Sequence, residues 1–131
     1  MLRRLFLSAF FVLLASTLPG CSLFGSGAIE VTYEVAGVGA RGPVRVTYTT
    51  SGGDEVVEDA QLPFVREVTI RSPRVNQVLT VSATSDFDGE GRLGVKVSAV
   101  RYGQLTEAVD ERPTPDQSGG TVSVQATVVV R

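Results

Sequence analysis

Asp86, Asp88 and Glu90 stand at alternate positions ahead of Gly91. Carboxylates spaced in this way open the loops that gather hard oxygen ligands around a calcium ion. Such a loop closes on a bidentate glutamate at its twelfth position, and counting from Asp86 that position is Val97. The pattern therefore fails, no metal site is expected, and the stretch reads as a solvated turn between strands. Asp110, Glu111 and Asp116 border a second stretch that holds Pro113 and Pro115, and they read as a mobile charged loop. Paired carboxylates can hydrolyse glycosides, but a domain of this size leaves little room for a sugar cleft. Serine and threonine are plentiful, yet the chain has no histidine. That excludes a Ser-His-Asp arrangement and removes the commonest general base and metal ligand together. Lys96 is the only lysine that could serve a Ser-Lys pair, and alternation puts it on the polar face of its strand. No catalytic residue, enzymatic activity or cofactor is expected. Of the aromatics, Tyr33 and Tyr48 fall on apolar faces and read as core. Phe64 follows a proline break, whereas Phe87 falls in the acidic turn and reads as the exposed contact residue. The single cysteine, Cys21, cannot form an intrachain disulfide.

These residues must be carried by strands. From Ile29 onward apolar residues recur with period two between turn signals, and no segment shows a convincing 3.6-residue period. Ile29, Val31, Tyr33 and Val35 share one face, and Val44, Val46 and Tyr48 share another. Ser51-Gly52-Gly53-Asp54 reads as a hairpin turn. Residues 55–62 read as a charged edge strand, stopped by Pro63. Residues 64–71, 75–84 and 93–99 follow, then a short strand over 105–109 and an irregular stretch over 111–120. The final alternation runs Val122, Val124, Ala126, Val128, Val130. Seven or eight short strands in about 100 residues predict an all-β fold, an antiparallel immunoglobulin-like β-sandwich. A small closed barrel is the competing arrangement.

The first residues follow a different rule. Arg3 and Arg4 precede a mostly apolar run over 5–18. About a dozen apolar residues is short for a hydrocarbon core that wants about 20, and the pattern is that of a secretory signal. Leu18-Pro19-Gly20-Cys21 closes the run and resembles the lipobox of bacterial lipoproteins. Pro19 is a less usual occupant of its position in that pattern. The resemblance implies a signal peptide over 1–20, cleavage before Cys21 and acylation of its sulfur. Residues 21–27 then form a lipidated tether, and residues 28–131 form the sandwich domain. Two or three acyl chains would make attachment permanent, since one alone binds marginally. A six-residue tether reaches at most ~20 Å. Ser22 replaces the aspartate that marks inner-membrane retention, which favours the outer membrane in a cell with two.

Without residues 1–20 the chain carries 10 basic and 14 acidic residues. This mild acidity argues against a nucleic-acid partner, which needs a clustered basic face. The sequence holds no polybasic run that would mark a membrane patch.

Tyr33-Glu34-Val35-Ala36-Gly37, Val46-Thr47-Tyr48-Thr49-Thr50, Leu62-Pro63-Phe64 and Leu79-Thr80-Val81-Ser82-Ala83 follow one another in the order seen in MmpS-type proteins. The chain resembles that family over residues 29–97. The resemblance implies a compact β-sandwich and an accessory role beside a lipid or efflux transporter. Two features depart from the family: Phe64 stands where it has a tryptophan, and its cysteine pair is missing. A lipid anchor also replaces its membrane helix. The expected protein is thus a non-enzymatic envelope lipoprotein, facing the periplasm or exterior, with an envelope protein as partner. The alternative is an assembly module that docks another envelope protein through an edge strand.

Overall fold

The computed structural model describes residues 27–40 and 42–131. The expected signal peptide over 1–20, the lipobox residues Leu18, Pro19, Gly20 and Cys21, and the tether up to residue 26 lie outside the described residues.

Among the described residues eight strands form in order: β1 Ile29–Val38, β2 Val44–Thr50, β3 Gly53–Ala60, β4 Phe64–Ile70, β5 Gln77–Phe87, β6 Arg92–Arg101, β7 Gln104–Pro113 and β8 Gly120–Val130. They build two antiparallel four-stranded sheets, ordered β4-β1-β6-β7 and β3-β2-β5-β8. The fold is an all-β sandwich, as the alternation requires. The eight strands divide four and four, whereas a constant-type immunoglobulin domain divides seven strands four and three.

Period-two alternation explains the core. Ile29, Val31, Tyr33 and Val35 of β1 face Val46, Tyr48, Leu79 and Val81 of the other sheet, and all are buried. β6 adds Leu93, Val95, Val97 and Ala99, while β8 adds Val122, Val124, Ala126, Val128 and Val130. Branched side chains dominate because they pack well on a pleated surface and lose little χ1 freedom there. A polar bond crosses this apolar layer. The Tyr33 hydroxyl donates to the Thr49 carbonyl at 2.7 Å, linking β1 to β2. Tyr33 also packs on Tyr48, with ring centroids 5.4 Å apart.

Several boundaries differ from the sequence reading, and the charged edge strand read over 55–62 is β3, Gly53–Ala60, which ends before Leu62. β5 does not stop at Thr84 but runs on to Phe87, pairing Phe87 with Gly120. β7 is not a short strand over 105–109; it pairs with β6 from Gln104 to Pro113. Its charged residues hide its length, because only one of its faces packs on the core. The expected irregular stretch over 111–120 therefore shrinks to 114–119.

All eight strands run between two poles. At one pole β1 begins, β4 and β8 end, β5 begins, and the β6–β7 hairpin turns. The β2–β3 turn lies there too, because β2 runs antiparallel to β5. The opposite pole holds the β1–β2, β3–β4, β5–β6 and β7–β8 connections.

Candidate functional site

The acidic turn is the first place to look, and Phe87 corrects the expectation there. It is not an exposed loop residue: it ends β5 and is only 3 % exposed. Leu79, Val81, Ala83, Ser85 and Phe87 all point inward, so the alternation continued through Ser85, where a hydroxyl disguised it. Gly91 and Gly119 close over Phe87. A Cβ on Gly91 would stand 2.7 Å from the Phe87 ring, and one on Gly119 would stand 2.0 Å from its carbonyl oxygen. Phe87 therefore packs the core and offers no free face for a contact.

The carboxylates of this region do not converge either. Asp86 accepts a hydrogen bond from the Thr121 hydroxyl at 2.5 Å on the outer surface of its sheet. The β5–β6 turn is tied to the β7–β8 loop: Thr114 N–H donates to the Gly91 carbonyl at 2.9 Å, and Gly91 N–H donates to the Thr114 hydroxyl at 3.2 Å. Val97, the twelfth position, lies in the core. Among the described residues no group of three metal-ligating side chains comes together.

Asp110 and Glu111 are not loop residues but belong to β7. Asp110 Oδ2 accepts the Gln125 N–H at 3.0 Å, occupying a donor on the free edge of β8. Asp116 stays in the loop, where Ser118 donates to it from both backbone and hydroxyl. Those bonds favour the carboxylate and hold Asp116 below its ordinary range. Tyr33 and Tyr48 are buried as read; Phe64 is buried too, and the Arg66 guanidinium lies 5.3 Å from its centroid.

Lys96 gives a result that alternation could not. It is on the polar face of β6, yet it is only 6 % exposed. Register brings it beside Glu34 on β1 and, one row along, brings Ser98 beside Thr32 and Glu107. Lys96 Nζ approaches Glu107 Oε1 at 3.7 Å, and the Ser98 hydroxyl donates to the same oxygen at 3.5 Å. Glu34 is 3 % exposed and its Oε2 has no hydrogen-bond partner. Burial raises its carboxyl above the ordinary range; Lys96 counters that, and Glu107 adds to it. Exposed Val65 flanks Glu34 from β4, and exposed Val109 flanks Lys96 from β7. One row of this outer surface thus reads Val65, Glu34, Lys96, Val109. Each half of the pair is ordinary in sequence; only the register reveals that they meet.

The outer surface of the other sheet is built differently. Threonine and serine form cross-strand pairs there, Thr80 with Thr127 at 3.0 Å and Thr84 with Ser123 at 3.1 Å. Their hydroxyls are largely spent on one another.

Val65 and Val109 are the exposed members of this row, and Glu34 and Lys96 lie nearly sealed between them. No protein-family model matches this chain, and no curated protein matches it in sequence.

Proposed function

We propose that this chain is a lipid-anchored envelope lipoprotein whose sandwich is a non-enzymatic binding module, accessory to a lipid or efflux transporter. The observation that carries the reading is the position of its only cysteine, Cys21, at the end of Leu18-Pro19-Gly20-Cys21 and eight residues before β1. Cleavage and acylation there hold the sandwich beside a bilayer, with its domain in the periplasm or outside. In a cell with two membranes the anchor lies in the outer one.

The row Val65, Glu34, Lys96, Val109 supplies the contact surface for an envelope protein. Its exposed valines bury apolar area against the partner, while Glu34 and Lys96 lie nearly sealed between them. Docking through an edge strand has less support. β3 carries Asp54, Glu55, Glu58 and Asp59, and an Asp110 bond blocks part of the β8 edge. Both are devices that discourage strand addition.

The test replaces Cys21 with serine in cells. The variant should lose acyl label and stable membrane association. A photocrosslinker at Val109 in the unaltered background should then capture one envelope protein that a crosslinker at Ser123 does not. Persistent acyl label in the Cys21→Ser variant, or equal capture from both surfaces, contradicts the reading.

A further inference from the structure

The pole at which β1 begins has a composition that no stretch of sequence displays. Arg71 follows β4 directly, and Arg101 ends β6 at the level of Ile29. Arg74 lies in the turn that joins the sheets, its N–H bonded to Gln77 Oε1 at 3.0 Å. Arg131 follows β8, which pairs Val130 with Gln77. Four arginines from three separate segments, the β4–β5 connection, the end of β6 and the residue after β8, are thus brought to one end of the sandwich. Among the described residues, no ion pair joins any of them to a carboxylate; the pairs that form use Arg45, Lys96 and Arg112. Glu30 and Asp54 are the acids nearest this end, each a step inside the rim. The opposite pole is mixed in sign, with Asp88 and Glu90 in the β5–β6 turn and Asp116 in the β7–β8 loop beside Arg92 and Arg112 at the ends of β6 and β7.

The basic pole also carries its own apolar tips. Val75 is 92 % exposed and Tyr102 is 69 % exposed. Tyr102 holds φ of 51° and Gly103 holds 73°, so both central residues of the hairpin are left-handed, as a type I′ turn demands. Asparagine would relax there, whereas tyrosine keeps strain at an exposed position. The Arg101 guanidinium lies 5.2 Å from the Tyr102 centroid. Gly27 lies at this same place: a Cβ there would stand 2.9 Å from the Tyr102 hydroxyl.

We infer that this pole is a docking surface for anionic phospholipid headgroups, on which the sandwich stands end-on. The inference rests on the Cys21 anchor for proximity, since a tether of six residues holds the pole within ~20 Å of the bilayer. Arginines then meet headgroup phosphates by charge-assisted hydrogen bonds. Tyr102 sits at headgroup level with its hydroxyl wet and its ring in the acyl boundary, the habit of interfacial aromatics. The attraction decays within about 8 Å at physiological salt, so only this pole feels it. The row Val65, Glu34, Lys96, Val109 crosses the strands and is then presented sideways, parallel to the membrane plane and free for a partner in the same bilayer.

The chain contains no tryptophan, so one indole can report each pole. Tyr102→Trp marks the basic pole, and Val38→Trp marks the other, where Val38 ends β1 in an exposed position. Each full-length acylated protein is reconstituted in vesicles of phosphatidylcholine, with or without phosphatidylglycerol, and quenched by lipids brominated near the headgroup. The Tyr102→Trp chain should be quenched strongly in phosphatidylglycerol vesicles, less at high salt and less in pure phosphatidylcholine. The Val38→Trp chain should stay unquenched throughout. Replacing Arg71, Arg74, Arg101 and Arg131 with glutamine should abolish the lipid dependence, each arginine contributing about fivefold to membrane affinity. Equal quenching of both chains, or quenching of Tyr102→Trp that ignores phosphatidylglycerol and the arginines, overturns the inference. A chain that carries no acyl group yet sediments with phosphatidylglycerol vesicles through these arginines upholds the pole and overturns the anchor instead.

Discussion

Removing one oxygen from Tyr33 tests how the two sheets are held in register. Tyr33 is fully buried, and its hydroxyl donates across the sandwich to the Thr49 carbonyl at 2.7 Å. Phenylalanine keeps the ring and its contact with Tyr48, so the change isolates the hydrogen bond. A typical intramolecular bond contributes about 0.5–1.5 kcal/mol net, and an acceptor left dry adds part of its desolvation cost. The expected loss in Tyr33→Phe is therefore about 1–2 kcal/mol. In a domain of this size that lowers the melting temperature by roughly 5–10 °C. Urea unfolding followed by circular dichroism should show a lower midpoint at unchanged slope, since the exposed area does not change. Tyr102→Phe removes an exposed hydroxyl and should stay within about 0.5 kcal/mol of the parent. Alkaline pH gives a second reading. Burial holds the Tyr33 phenol above its ordinary value of 10.0, so the folded state keeps a proton that the unfolded state releases. Stability contributed by Tyr33 is full below pH 10 and falls as pH rises beyond it. Tyr33→Phe should flatten that fall. Equal midpoints for Tyr33→Phe and the parent, with the same alkaline slope, would refute the cross-sheet role.

Three other substitutions probe places where structure and sequence disagree. Phe87→Ala should cost about 3–5 kcal/mol in chemical unfolding, as a core truncation does, and an unchanged midpoint would return Phe87 to the surface. Glu34→Gln should gain stability relative to the parent as pH rises past 4.5, the ordinary value above which burial holds this carboxyl. The sign follows because a raised carboxyl pKa means the folded state binds the extra proton; a pH-independent difference would contradict it. Gly119→Ala should unfold the β7–β8 loop or destabilise the whole domain, because φ is 104° and the new methyl would meet the Phe87 carbonyl. Thermal melting decides the point, and a parent-like transition would falsify the packing over Phe87.

What could be read in advance divides by range. Strands β1, β2, β6 and β8 were legible because their inward residues are apolar and their outward residues polar, a signal local to each strand. β7 was harder to read because Thr106, Asp110 and Arg112 occupy the positions facing inward at its free edge, so its period of two carries little contrast. The end of β5 was obscured by buried Ser85. The Glu34–Lys96 pair and the basic pole were illegible for a different reason. Glu34 and Lys96 are 62 positions apart in the chain, and Arg71, Arg74, Arg101 and Arg131 never form a run. Register and topology bring them together, and neither is encoded in any single segment.

The anchor remains the centre of the account, and the mass of the mature N-terminus tests it most directly. Protein purified from membranes of the cells that make it should be digested and its N-terminal peptide measured by mass spectrometry. The account predicts cleavage between Gly20 and Cys21 and a peptide starting at Cys21 that carries two or three acyl chains. An unmodified Cys21 inside a longer peptide, or an acyl-free mature terminus, would contradict it.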